Sequence, residues 1–443
     1  MLWSLVVWLA SAALILGVLT QRWWDPWLAR SGIDWRAIPW RWYLSGYPAT
    51  VVRMRWRWKQ VCLINDLSIS RKPTRAVVGD LAVKGTALRP IAPSLGLPRL
   101  TKTGLVVRVR LNPGQTPQPF IAAAEALEHA WRVHRVRISS PRRGELIVTV
   151  TAGDSLRGKG TEIHQAPERL LAARVGRIED GGAWVLDLRK VPHWLVVGAT
   201  QSGKSTFLAA WVRRLATQPV ALVGIDCKGG MELGLFESRL SALACSRLEA
   251  VGLLDALVTE LQQRMAVCRA ARKRSVWELP EDERPVPIVV LVDELAELYL
   301  SDGSRQSRDE VAQCSTLLLR IAQLGAALAI HLVIAGQRVG SELGPGVTAL
   351  RAQLGGRVAH RVNDSNTAEM ALGDLSPDAI AVSQSINEDE KGVAVTTVGA
   401  RWMRARSDLT TTDQARAVAD ENAHRTPNLP ALARAVMAGG KQI

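Results

Sequence analysis

The chain's clearest chemical signal begins at Gly198. Gly198-Ala199-Thr200-Gln201-Ser202-Gly203-Lys204-Ser205 has the spacing G-x-x-x-x-G-K-[ST], and Thr206 follows it. The glycines let backbone N–H groups turn inward around phosphate oxygens at a helix N-terminus, where the macrodipole adds positive potential. In such a loop Lys204 reaches the β- and γ-phosphates of a nucleotide and Ser205 ligates Mg²⁺. The expected ligands are therefore ATP and Mg²⁺. Hydrolysis also needs a carboxylate to hold the metal's water shell and a base to orient the attacking water. Ile288-Val-Val-Leu-Val-Asp293-Glu294 offers both, with Asp293 on the metal side and Glu294 on the water side. The alternative, an Asp-Glu pair capping a helix start, is weaker beside a phosphate loop. A third apolar run, Ile330–Gly336, ends in Gln337, which reads either as a γ-phosphate sensor or as a strand-terminal turn residue. His331 in that run reads as a packed core histidine. The seven histidines lack metal-ligand spacing and the five cysteines contain no C-x-x-C pair, so neither a zinc site nor a disulfide framework is encoded.

These groups need a scaffold that brings several strand ends together. Short apolar runs at Trp194–Val197, Val220–Ile225, Ile288–Val292, His331–Ala335 and Arg357–Arg361 read as strands, and helices are expected near Ser205–Thr217, Leu248–Arg272 and Val311–Leu328. Buried strands separated by helices imply an α/β fold with a mostly parallel sheet covered on both faces. Ligands bind such sheets at the carboxyl ends of the strands, where Asp293, Glu294 and Gln337 fall.

Upstream the chain changes character. Leu2–Thr20 is an uncharged, mostly apolar stretch of about the length a helix needs to cross a bilayer. A signal peptide is the rival, but no basic residue precedes the stretch and no small-residue cleavage site follows it. Arg22, Arg30, Arg36 and Arg41 lie on its C-terminal side, so the positive-inside rule predicts a single-pass cell-membrane protein with the rest of the chain in the cytoplasm. Trp and Arg then alternate up to Lys59, as in a collar at lipid headgroup level; single-stranded nucleic acid is the alternative partner. The expected organisation is a transmembrane helix and collar over 1–60, a linker over 61–103, a small β-α-β-β domain over 104–155, the phosphate-loop ATPase domain over 156–410 and a short helical tail over 411–443. The basic residues of the small domain read as a solvated face.

With 443 residues, 47% hydrophobic and 22% charged, the chain has room for two or three domains and cannot be a peptide, a coil or a disordered tail. Its formal net charge of +15 points to a polyanionic partner. Residues 1–150 hold 22 Lys+Arg and 7 Asp+Glu, whereas the remainder holds 34 of each. The excess therefore belongs to the N-terminal third, where anionic lipid is the expected partner nearest the apolar stretch.

Taken together, VPHWLVVGATQSGKST, GIDCKGGMELGLF, PIVVLVDELAEL, RIAQLGAALAIHLVIAGQR and GGRVAHRV resemble the motor of the FtsK/SpoIIIE family of double-stranded DNA translocases over residues 170–406. The D-x-K-G-G element (Asp226, Lys228, Gly229, Gly230) and RVAHRVNDSNTAEMALGD look most like transfer proteins of actinomycete conjugative plasmids and integrative elements. The resemblance implies a homo-hexameric ring that threads duplex DNA and couples ATP hydrolysis to stepping, with Arg357, or alternatively Arg351, as a trans arginine. Gln201 stands where the family has Gly, Cys227 where it often has Pro, and Ala326 replaces a family arginine. Chromosome segregation and protein secretion by a related ATPase are the alternative functions. The first expects several spans and a C-terminal winged helix, the second several motors in one chain.

Overall fold

A computed structural model of the chain describes residues 46–71, 89–101, 103–154, 169–373, 377–398 and 401–440, together with Trp42 and Leu156. The expected span Leu2–Thr20 and the Trp-rich residues 23–41 lie outside the described residues. The chain divides into two compact units, Met1–Ser155 and Leu156–Ile443.

The first unit opens with helix α1 (Tyr47–Ile64) and a two-stranded ribbon, β1 (Ile69–Arg71) with β2 (Arg89–Ile91). An antiparallel sheet follows. Its strands are β3 (Ser94–Leu95), β4 (Arg99–Leu100), β5 (Gly104–Arg110), β6 (Arg135–Arg142) and β7 (Glu145–Thr151), in the order β3-β5-β7-β6 with β4 also on β5. Two short helices, α2 (Gln118–Ala122) and α3 (Ala124–Trp131), connect β5 to β6. Leu105, Val107 and Val109 alternate along β5 onto the same buried face as Leu146, Val148 and Val150 of β7, the period-2 pattern of a sheet with one covered side. Met54, Trp58, Val61 and Cys62 of α1 and Leu127 and Trp131 of α3 cover that face.

This packing corrects two expected boundaries. Residues 53–59 read as collar by composition, yet α1 runs through residue 60 and buries Trp58, whose indole Nε1 donates to the Pro93 carbonyl at 2.7 Å. The physical signal is helical periodicity: positions 54, 58 and 61 share one face, which composition alone does not register. The stretch 61–103 is no plain linker either, since it completes α1 and supplies β1 to β4.

Among the described residues the second unit is built on ten strands: β8 (Ala172–Ile178), β9 (Ala183–Asp187), β10 (His193–Val197), β11 (Ala221–Ile225), β12 (Ala242–Ala244), β13 (Ile288–Val292), β14 (Ile330–Gly336), β15 (Gly356–His360), β16 (Val393–Val398) and β17 (Arg401–Ser407). Their order is β12-β11-β13-β14-β10-β15-β16-β17-β8-β9. The first six run parallel. From β15 onward each pairing is antiparallel. Helices α4 (Lys204–Leu215), α5 (Arg247–Ala270), α6 (Arg305–Leu324), α7 (Val347–Gln353), α8 (Ser365–Leu372), α9 (Pro377–Gln384), α10 (Thr412–Glu421) and α11 (Pro430–Gly440) complete the unit. One face of the sheet packs on α5 and α6. The other packs on α4, where Phe207 stacks on Trp184 and Trp211 meets Trp194 edge-on.

Among the described residues, Arg305–Leu328 has the length and apolar content of a membrane span. Val311, Cys314, Leu318 and Ile321 are buried in the sheet's core, which makes it a core helix of the second unit. The tail is more than one short helix. Helix α10 starts with a capping box from Thr411 and Gln414 and buries Ala415 and Ala419. Helix α11 crosses α5 closely, since a Cβ on Gly252 would stand 3.0 Å from the Ala435 carbonyl oxygen, and one on Gly439 would stand 3.0 Å from the Glu249 Cα.

At the amino ends of the central strands His193 and His331 lie with ring centroids 6.5 Å apart, both buried. Nδ1 of His193 accepts the Leu332 backbone amide at 3.0 Å, so protonating that nitrogen breaks this side-chain bond to the neighbouring strand. Burial pulls His193 down to about 4 and His331 to about 3, the latter lowered further by His193. A histidine with a depressed folded-state pKa takes up its proton first in the unfolded chain. Stability must therefore fall as pH drops below the unfolded value of about 6.5, by about 1.4 kcal/mol per pH unit for each imidazole. Urea denaturation between pH 7 and pH 5 checks this: the midpoint should drop, and His193→Asn with His331→Leu should flatten the drop. A wild-type midpoint that does not move would refute it.

Candidate nucleotide site

The glycine-rich loop joins β10 to α4. Its start is pinned to the neighbouring strands, because the Gly198 amide donates to the Gly336 carbonyl at 3.3 Å and the Ala199 amide to the Arg361 carbonyl at 2.9 Å. Two residues are left-handed, Gln201 with φ 61° and Gly203 with φ 103°. At Gly203 a side chain would overlap the Gly392 backbone, whose amide donates to the Ser202 carbonyl at 3.0 Å. Gln201 keeps the left-handed turn without being glycine, at a cost of about 1 kcal/mol or more. Thr200 and Gln201 are exposed, Ser202 is buried with its Oγ unpartnered, and Ser205 and Thr206 lie in the first turn of α4.

Lys204 opens α4 and is buried. Its Nζ donates to Glu294 Oε2 at 2.9 Å and to the Asp293 carbonyl at 3.1 Å. Glu294 Oε1 in turn accepts the Gln337 amide at 3.1 Å, and Thr200 Oγ1 donates to Gln337 Oε1 at 3.3 Å. The sheet order explains this convergence. Strand β14 lies between β13 and β10, so the residues following all three emerge side by side at the carboxyl edge. Asp293, Glu294, Lys204, Thr200 and Gln337, singled out from separate stretches of sequence, form one cluster.

Strand β11, on the far side of β13, adds two members that the sequence reading did not place in the site. Asp226 is buried and accepts the amides of Lys228, Glu232 and Leu233 at 3.3, 2.8 and 3.0 Å, a geometry that folds the D-x-K-G-G segment over its own carboxylate. Gly229 and Gly230 have φ of 74° and 75°. The turn aims Lys228 at the acids, with Nζ 3.6 Å from Glu294 and 3.9 Å from Asp293. The signal was in the sequence as the D-x-K-G-G spacing, but nothing there shows that β11 adjoins β13.

Burial pushes the Asp293 carboxyl up to about 6, with Lys204 and Lys228 pulling down and Asp226 pushing further up. Its Oδ1 is buried without a partner. A buried, unpartnered carboxylate oxygen at the end of a strand beside the phosphate loop is the ligand a hydrated Mg²⁺ takes, and the loop opens into the N-terminus of α4, which suits phosphate. The residues therefore fit a magnesium nucleotide.

Arg357 lies on β15, on the other side of β10 from β14. Its side chain is buried, and its Nη2 donates to the Arg351 carbonyl at 3.1 Å. In this conformation the guanidinium braces the end of α7. The alternate, Arg351, is half-buried and donates Nη1 to the Val339 carbonyl at 3.3 Å. His360 packs on Phe207 behind the loop, and burial pulls its imidazole down to about 4.

Comparison with known proteins agrees with this geometry. Residues 35–152 match the actinomycete conjugal transfer protein N-terminal domain, and residues 157–282 and 276–341 match the FtsK/SpoIIIE family. Transfer protein TraSA of Streptomyces ambofaciens is 44% identical over 373 residues, 80% of this chain and 88% of that protein. A sporulation regulatory protein of Streptomyces azureus is 46% identical over 261 residues, 59% of this chain and 84% of that one. Among solved structures, the pCW3 conjugation coupling protein TcpA in its monomer form with ATPγS aligns with a TM-score of 0.53 and 21% identity, covering 83% of this chain and 98% of that one. That likeness shows the P-loop ATPase fold. With the phosphate loop, the paired acids and the D-x-K-G-G turn assembled on one sheet edge, the chain belongs to the FtsK/SpoIIIE family of P-loop ATPases, among the actinomycete conjugal transfer proteins.

Proposed function

We propose that this protein is a membrane-anchored ATPase that moves double-stranded DNA through a ring of six copies during conjugative transfer of a plasmid or integrative element. The observation that carries the ATPase part is the Lys204–Glu294 contact at the shared edge of β10, β13 and β14. Support for the DNA part is the family membership and the identity to a transfer protein. The membrane part rests on the apolar stretch Leu2–Thr20 and its arginine-rich flank, which set the motor on the cytoplasmic side.

In this reading the Gly198, Ala199 and Ser202 amides brace the loop on backbone carbonyls, the amides of Thr200, Gln201 and Gly203 and of the first turn of α4 hold phosphate oxygens, and Ser205 and Asp293 would hold the hydrated metal, with Thr206 beside them. A Mg²⁺ held by Ser205 and Asp293 would supply positive charge to offset what develops on the phosphate. Lys204 would move from Glu294 to the phosphates, which frees Glu294 Oε2 to take a proton from the attacking water. Lys228, already 3.6 Å away, keeps that carboxylate oriented while Lys204 is engaged. Gln337, whose amide is fixed on Glu294, places its side chain as the γ-phosphate sensor. For the arginine from a neighbouring subunit, the half-buried Arg351 fits better than the buried Arg357.

Glu294→Gln should lower turnover by about a hundredfold or more while leaving nucleotide binding intact, as removal of a general base does. Lys204→Ala should abolish turnover. It also leaves Glu294 buried with a weaker partner, so a stability loss of about 3–5 kcal/mol should accompany it in chemical denaturation.

The DNA reading is tested on the reconstituted full chain. Duplex DNA of unrelated sequences should raise turnover, with an apparent affinity that falls steeply with salt because phosphates are contacted rather than base edges. Stimulation by a secreted polypeptide with no response to duplex DNA would overturn the DNA reading and leave a secretion ATPase in its place.

A further inference from the structure

The Trp and basic residues of α1 do two different jobs, and the two sides of the helix separate them. On the inner side Met54, Trp58, Val61 and Cys62 enter the core of the first unit. Two arginines at the edge of that side are also engaged: Arg53 Nη1 donates to the Trp131 carbonyl at 2.6 Å and Arg57 Nη1 to the Ala130 carbonyl at 3.2 Å. They satisfy the last carbonyls of α3, where the helix dipole favours a cation.

The opposite side of α1 faces solvent, and it is apolar. Val52 is 60% exposed, Trp56 87% and Leu63 53%. With 3.6 residues per turn these three fall within about 40° of one another, facing away from the buried arc. Arg55 and Lys59 line one edge of the stripe, Gln60 lies on the other, and the helix sequence YPATVVRMRWRWKQVCLI contains no acidic residue. A helix fixed to a core on one side and presenting an aromatic and aliphatic stripe with a basic edge on the other is built to lie in a bilayer interface. Duplex DNA fits less well, since its phosphates would meet apolar side chains along the centre of the stripe.

We infer that α1 is an interfacial helix that seats the first unit on an anionic bilayer, with Val52, Trp56 and Leu63 inserted among the acyl chains and Arg55 and Lys59 on lipid phosphates. This deepens the membrane part of the proposed function and rests on it. Each basic residue near an anionic surface contributes about a fivefold preference, so reversing both should remove the docking.

The test uses the full chain in nanodiscs with an environment-sensitive fluorophore at Leu63→Cys, an exposed position, with wild-type chain treated identically as background for its native thiols. The label should become shielded from acrylamide and shift to the blue in discs containing phosphatidylglycerol, and less so in phosphatidylcholine alone. Arg55→Glu with Lys59→Glu should abolish the shielding. Equal access to acrylamide in both discs would overturn the inference, as would shielding that appears only on adding duplex DNA or only when two copies share a disc. Flotation of the full chain with liposomes after alkaline carbonate washing separates the two levels. A chain that washes off removes the anchor and this inference together; a chain that floats with an open label removes this inference alone.

Discussion

A lysine and a glutamate held together out of solvent, where three parallel strands end, are the constraint around which the second unit is arranged. Burying one charge alone would be prohibitive, so Lys204 and Glu294 have to arrive at the same place, and they come from segments 90 residues apart. A parallel sheet solves that problem because every strand delivers its following residue to the same edge. An antiparallel sheet would send alternate ends to opposite sides. The order β11-β13-β14-β10 then decides which groups meet, setting Lys228, the paired acids, Gln337 and the phosphate loop next to one another. Asp226 extends the same logic by one strand, using a buried carboxylate to shape a turn rather than to do chemistry.

Much of this was legible before any coordinates, because the strands that carry the site are buried on both faces and therefore read as unbroken apolar runs. Ile288–Val292 is the clearest case. Strands β8, β9, β16 and β17 were not legible. Of these, β8 and β17 carry Arg174, Arg177, Arg404 and Arg406 among small and apolar residues, a mixed signal that periodicity does not distinguish from loops. The collar was misjudged for the opposite reason. Its composition is so marked that it hid the helical period of Met54, Trp58 and Val61. Lys228 could be named from the sequence but not placed, because strand adjacency is a long-range property that no local pattern contains.

The arginine surplus of the N-terminal third has also acquired structure. Part of it is internal wiring: Arg53 and Arg57 close the end of α3 in the way a capping side chain would, and lysine in their place could not keep the same planar fork. Those two positions and Arg55, neighbours in sequence, are thus under unlike constraints. A charge total assigns them all to an unknown polyanion. Their hydrogen bonds assign two of the three to the protein itself.

The glycine contacts between α5 and α11 bear on how the chain reaches this fold. Helix α5 follows directly on β12 at the sheet's edge, yet the surface around Gly252 is covered only when the segment carrying Ala435 arrives from the far end of the sequence. Closing so long a loop is entropically slow, and contacts of this separation retard folding more than local ones do. Until the segment carrying Ala435 is made, that side of α5 lacks the cover that α11 gives it. The glycines at 252 and 439 thus join two helices whose meeting is a long-range event, and the closeness of their packing is what that late contact has to reach.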